Sequence, residues 1–360
     1  MKYAKILRHL ADLQGLDRSF LTIYLDHPID RHWLEHELNT LHNVLDHSAD
    51  EYQHFQENRR MAVNFLESTG KRSHGLCLVC CWALDLREVY ELPRNVGNLL
   101  WLDSSPYIRP LAEVSEEYQN VALVVADNNL ARIYLVSAEI KQMGKIAGHI
   151  KNHVRVGGWS QQRYERRRDK ALKHYGRDIV NALVRLKGES AYERLLLAGS
   201  QEAIQTVKHE LPQQLVHMLV GEKALDLRHA DLSEEIYPLV HAAERQAEMA
   251  LWHAIKQQYM RHGLAAMGVA SVLHAAVDGR VEKLLIQRDA EIKGLRCKEC
   301  GQLLAGAAAV CSACGKSNLL AVDMVNELSE VVISHGGTVD YCPAFGALQA
   351  VGHVAALLRY

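Results

Sequence analysis

Residues 154–178 read VRVGGWSQQRYERRRDKALKHYGRD. A pair of glycines, Gly157 and Gly158, opens into a stretch with helical period over about residues 161–187. Ala171, Tyr175, Ile179, Leu183 and Leu186 recur at helical spacing and form a packing face. Arg163, Arg166, Arg167, Lys170, Lys173 and Arg177 fall on another face. Between residues 151 and 177, nine Lys and Arg stand against Glu165 and Asp169. One reading is a solvated surface helix. The other is a face for phosphates, because a row of cations without compensating acids suits phosphate contacts better than intrahelical pairs. Paired glycines admit positive φ and a close backbone approach to a partner. The stretch is neither a Walker loop nor a G-x-G-x-x-G fingerprint. No persuasive Ser-His-Asp constellation occurs in the chain.

Outward from this stretch the pattern is α/β. NVALVVADNNLARIYLV (120–136) reads as strand, Asp-Asn-Asn turn and strand, a hairpin signature. A polar stretch follows it to 156. A strand at 193–199 and a helix from Gln201 lie beyond the basic helix. Before it come a strand at 20–25, a helix carrying Leu34, Leu38, Leu41 and Leu45, and a second helix with a Ser48/Glu51 capping box. Buried strands are expected at 75–82 and 99–102. After a polar boundary at 226–233 come helices at 234–260 and 263–278, a strand at 281–287 and a cysteine-bearing insert at 296–317. A helix at 321–331, the strand VVISH and a glycine-rich end complete the chain. The expected domains are 1–117, 118–232 and 233–360.

Cys297-x-x-Cys300 and Cys311-x-x-Cys314 form two knuckles, each followed by a glycine, Gly301 and Gly315. Four thiolates so spaced can close a tetrahedron around one Zn²⁺. An iron–sulfur cluster or two disulfides are the alternatives. All four ligands come from the protein, so a metal here is structural and holds an insert too small to build its own core. Cys77, Cys80 and Cys81 lie in an apolar strand and read as core thiols, as does Cys342.

The chain of 360 residues is 48% hydrophobic with a net charge of −2. That excludes a disordered chain and a uniformly basic nucleic-acid binder, but not a local basic patch. No stretch approaches the roughly 20 apolar residues of a membrane span, so no membrane partner is expected. Sparse cysteines and a start without signal-peptide character point to the cytoplasm.

Gly157-Gly158-x-Ser160-x-x-Arg163-x-x-Arg166 resembles the G-G-Q-S-x-x-R-[FY]-x-R loop and basic helix of the archaeal and eukaryotic class-one release factors. VEKLLI (281–286), SHGGTVDYCP (334–343) and FGALQAVGHVAALLRY (345–360) resemble blocks of that family's third domain, and the cysteine insert sits where that domain carries its minidomain. Two departures shape the reading. Trp159 stands where the family has its catalytic glutamine, and residues 1–117 lack the N-I-K-S and Y-x-C-x-x-x-F motifs of stop-codon reading. The chain is therefore more similar to the bacterial branch, relatives of Pelota and the Balon-like ribosome-binding proteins.

The resemblance implies a three-domain, tRNA-shaped protein. It implies a ribosome-binding factor in the A site of idle or stalled ribosomes, serving hibernation or rescue. Domain one would face the decoding centre, and the loop the peptidyl-transferase centre. Gly157, Gly158, Trp159, Ser160, Gln161, Arg163, Arg166, Arg167, Lys170, Lys173 and Arg177 would meet ribosomal RNA. Trp159 would stack on a base or anchor the loop to its own domain. The alternative is a peptidyl-tRNA hydrolase in which Gln161 takes the place of the missing amide. A translational GTPase such as elongation factor Tu is the implied protein partner.

Overall fold

The computed structural model describes residues 2–15, 17–68, 74–117, 121–136, 140–148, 150, 158–190, 192, 194–225 and 232–360. It has two compact units, one of residues 1–116 with 252–360 and one of residues 117–251. The fold is mixed α/β.

The chain begins with α1 (Lys2–Ala11), β1 (Phe20–Leu25), α2 (Arg31–Val44), α3 (Asp50–Ser68), β2 (Leu76–Cys81), β3 (Leu86–Glu91), β4 (Leu99–Asp103) and α4 (Arg109–Glu117). The strands form an antiparallel sheet of order β3-β2-β1-β4. β1 and β2 are buried throughout because both faces are covered. Leu21, Ile23, Leu25, Leu76, Leu78 and Cys80 pack with α2 and α3 residues such as Leu38 and Phe55. Phe20, Tyr24, Cys77, Val79 and Cys81 belong to a second cluster. All three strand cysteines are buried, as is Cys342. The expected capping box is not formed: the Ser48 hydroxyl donates to Asp46 at 2.8 Å. A short polar side chain has turned to a nearer local acceptor.

The second unit holds β5 (Val121–Ala126), β6 (Leu130–Val136), β7 (Ile140–Ala147), α5 (Gly158–Ser190), β8 (Arg194–Gly199), α6 (Gln201–Glu210), the one-turn α7 (Gln213–Val216) and β9 (Leu219–Ala224). The sheet runs β7-β6-β5-β8-β9, with β5, β8 and β9 parallel and the hairpin strands antiparallel. The Asp127 carboxylate closes the β5–β6 turn by accepting from the amides of Asn129 and Leu130. Strand alternation divides β5 between two layers. Ala122, Val124 and Ala126 meet α5 and α6, while Val121, Leu123 and Val125 meet Leu239, Val240 and Ala243 of α8 (Leu232–Met260). The polar stretch expected after 136 contains β7, an edge strand with mostly half-buried or exposed residues. No apolar run marks it for that reason.

Gly199 ends β8 at φ +125, and a Cβ there would lie 1.9 Å from the Ala126 carbonyl oxygen. The β5–β8 ladder leaves no room for that carbonyl to move. Gly199→Ala is expected to destabilise this unit by about 3 kcal/mol or more, read as a shifted denaturant midpoint.

Past α8 come β10 (Ala265–Met267), α9 (Val269–Val277), β11 (Val281–Gln287), β12 (Lys293–Cys297), β13 (Leu303–Ala305), β14 (Leu319–Asp323), α10 (Met324–Ser334), β15 (Thr338–Cys342), the one-turn α11 (Gly346–Gln349) and β16 (Val354–Leu358). One sheet has the order β10-β16-β11-β15, and a small antiparallel ribbon has the order β13-β12-β14. Three expectations are corrected here. The helix expected over 263–278 is divided into β10 and α9 at Gly268, φ +82. Residues 319–323 are a strand, and the helix starts only at Met324, where the Asp323 carboxylate accepts from the Val325 amide at 3.0 Å. VVISH is not a strand: Val331–Ser334 form the last turn of α10, and Val331, Val332 and Ile333 pack into the core. Tertiary packing overrides the β preference of branched residues. The strand lies at Thr338–Cys342.

Separate domains are expected at 1–117 and 233–360, but residues 1–116 and 252–360 share one hydrophobic cluster. Leu10, Tyr24 and Ile108 pack there with Leu284, Met324 and Leu328. Buried polar contacts tie them further. The Asn326 side-chain oxygen accepts from the amides of Ile108 (2.8 Å) and Arg109 (3.1 Å), so a residue of α10 caps the start of α4. Glu116 accepts from the Tyr341 amide at 2.8 Å, and Tyr107 donates to Asp323 at 2.8 Å.

Candidate functional site

The four cysteines of the ribbon converge. Their sulfur atoms lie within 4.8 Å of one another, with Cys297–Cys314 and Cys300–Cys311 each 3.6 Å apart. A tetrahedron of sulfurs around one ion, with metal–sulfur bonds of about 2.3 Å, has edges of about 3.8 Å. A disulfide requires about 2.05 Å, so the residues stand as thiols and fit a single metal ion. The two knuckles repeat one backbone pattern. Gly301 and Gly315 both sit at φ +72, a conformation that favours glycine. Their amides donate to Cys297 and Cys311 carbonyls at 2.9 Å, while the Cys297 and Cys311 amides donate to the carbonyls of Gln302 and Lys316. The amide of Cys314, with that of Ala313, draws the Cys311 thiol down to about 7, which favours the ligating thiolate. Cys297 and Cys311 are buried, and Cys300 and Cys314 are exposed.

The second candidate is α5. Tyr175, Ile179, Val180, Leu183 and Leu186 seat one face of this helix on the sheet, and the Tyr175 hydroxyl donates to the Asp127 carbonyl at 2.9 Å. Arg163, Arg166, Arg167, Lys170, Lys173 and Arg177 are all exposed. Arg177 donates to Glu210 at 2.9 Å, which fixes the helix against α6. Among the described residues, no ion pair engages Arg163, Arg166, Arg167 or Lys170. Arg168, one of the nine counted cations, turns inward instead and pairs with Glu202.

The backbone of Gly158, Trp159, Ser160 and Gln161 forms the first turn of α5, which begins earlier than the expected 161. The side chains of Trp159, Ser160 and Gln161, and Gly157 altogether, lie outside the described residues. Sequence reasoning missed the buried contacts of Arg296, Glu327, Glu330 and Asn326. No spacing motif announces them, because their partners come from distant parts of the chain.

The comparisons with known proteins bear on the region around α5. The family model for bacterial archaeo-eukaryotic release factor family 10 matches residues 106–245. No curated protein matches. Among solved structures, the archaeal translation termination factor aRF1 is 17% identical, with 100% of this chain and 97% of that chain covered and a TM-score of 0.29. Dom34 of S. cerevisiae, described as a translation termination-like factor that interacts with Hbs1, is 13% identical over 76% of this chain and 72% of its own, with a TM-score of 0.40. Archaeal Pelota, from a model of ribosome-bound Pelota and ABCE1, is 14% identical over 99% and 94%, with a TM-score of 0.39. The resemblance read from the sequence is borne out by the family match: this chain is similar to the bacterial archaeo-eukaryotic release factors over the stretch that holds the two glycines and the basic helix.

Proposed function

We propose that the protein is a ribosome-associated translation factor that occupies the A site of idle or stalled ribosomes, in hibernation or rescue, and does not read stop codons. The observation that carries this reading is the exposed row of cations Arg163, Arg166, Arg167, Lys170 and Lys173 within the stretch matched to the release-factor family. Cations at one-turn intervals suit a phosphate backbone, and binding through them releases counterions. Residues 1–117 would face the decoding centre, 118–232 would carry the RNA-contacting loop and helix, and 233–360 would carry the metal ribbon. The ion in the ribbon would be one zinc, which four thiolates in two knuckles hold well. A translational GTPase such as elongation factor Tu is proposed as a partner on the resemblance alone. Such a factor would work in the cytoplasm. Among the described residues, no helix is long and apolar enough to cross a membrane.

The loop separates occupation from hydrolysis. Trp159→Ala is expected to weaken ribosome binding, because base stacking typically contributes about 1–3 kcal/mol. Gln161→Ala is expected to be nearly silent in both binding and peptide release. If the native protein releases peptide from peptidyl-tRNA and Gln161→Ala abolishes that release, the protein is a hydrolase acting through Gln161.

A further inference from the structure

The residues on either side of the first cysteine carry cations that tie the ribbon to its unit. Lys298, inside the first knuckle, lies 3.4 Å from Asp17 and 3.8 Å from Glu51. Both acids belong to the N-terminal part, residues 1–116. Arg296, one residue before Cys297 and buried, pairs with Glu327 and lies 3.9 Å from Glu330. Glu330 accepts from the Asn326 amide group at 2.8 Å. The other end of that amide accepts from the backbone N–H groups of Ile108 and Arg109. A series of ionic and hydrogen-bonded neighbours therefore runs from Arg296, next to Cys297, to the start of α4.

The ribbon backbone sets both cations: Arg296 sits in the ladder opposite Leu303 and Leu320, and Lys298 in the knuckle. The Lys298 amide donates to the Asn318 carbonyl at 3.0 Å, and the Gly301 amide to the Cys297 carbonyl at 2.9 Å. A closed knuckle fixes where these side chains begin. An open one frees them, so the rotamer entropy of each pair must be met again. The buried carboxylates depend most on this position. Burial raises the proton affinity of Glu330, and Glu327 beside it adds to that. Displacing Arg296 would leave both carboxyls without their cation.

We propose that a metal held by Cys297, Cys300, Cys311 and Cys314 tightens the polar seam between residues 1–116 and residues 252–360, so that losing the metal loosens that seam while the shared core stays packed. This rests on the metal reading given above. The test is amide hydrogen exchange on the full chain, metal-bound and after chelation, with metal content measured in each sample. Chelation is expected to speed exchange at Ile108, Arg109 and Tyr341 by about tenfold or more, with the β1–β2 ladder unchanged. Lys298→Ala, which keeps all four thiols, should retain its metal and show a rise of a few-fold at the same amides. Faster exchange confined to residues 297–316 on chelation would overturn the tightening of the seam and leave the metal reading standing. Protein purified without chelators that carries no metal would overturn both.

Discussion

The triple variant Arg163→Glu, Arg167→Glu, Lys170→Glu is expected to lose co-sedimentation with ribosomes while keeping its circular dichroism spectrum. The three side chains are exposed on the face of α5 opposite Tyr175 and Ile179, so the helix keeps its seat on the sheet. Reversal removes three cations and adds three anions where phosphates would lie. For the native protein, about five neutralised phosphates would lower affinity by roughly two orders of magnitude between ~50 and ~200 mM salt. The variant should lose most of that dependence along with its affinity. Unchanged binding would make the face a solvated surface and nothing more.

Cys300→Ser carries the other large effect. The ribbon has few apolar side chains with which to hold itself together: Leu303 is buried, whereas Val310 is exposed. Structural zinc in small domains contributes about 10–16 kcal/mol of apparent binding energy, far more than a ribbon this size gains by packing. Replacing one thiolate should reduce stoichiometric metal to a trace and cost residues 296–317 their order. Elemental analysis and exchange over that segment check both parts. A variant that keeps one equivalent of metal would show that the four thiols do not act as one site.

The elements legible in the sequence are those with a local cause. β1 and β11 have the expected bounds because apolar runs and their polar flanks fix them. The cysteine site was legible because the two knuckles repeat one spacing, and the cation row because it keeps a helical period beside an apolar one. What sequence reasoning missed depends on tertiary context. Val331–Ser334 is rich in strand formers but continues a helix whose buried face outweighs that preference. β7 lies at an edge and shows no apolar run. The capping of α4 joins Ile108 to Asn326 across 218 positions, and no local pattern announces such a contact.

The central claim, occupation of the ribosomal A site through α5, is tested most directly by cryo-electron microscopy of ribosomes mixed with the purified protein. The account predicts density for the chain in the A site, with the exposed face of α5 against ribosomal RNA and the Gly157–Gly158 end toward the peptidyl-transferase centre. Ribosomes that bind the protein elsewhere, or carry none of it at saturating concentration and low salt, would contradict the account.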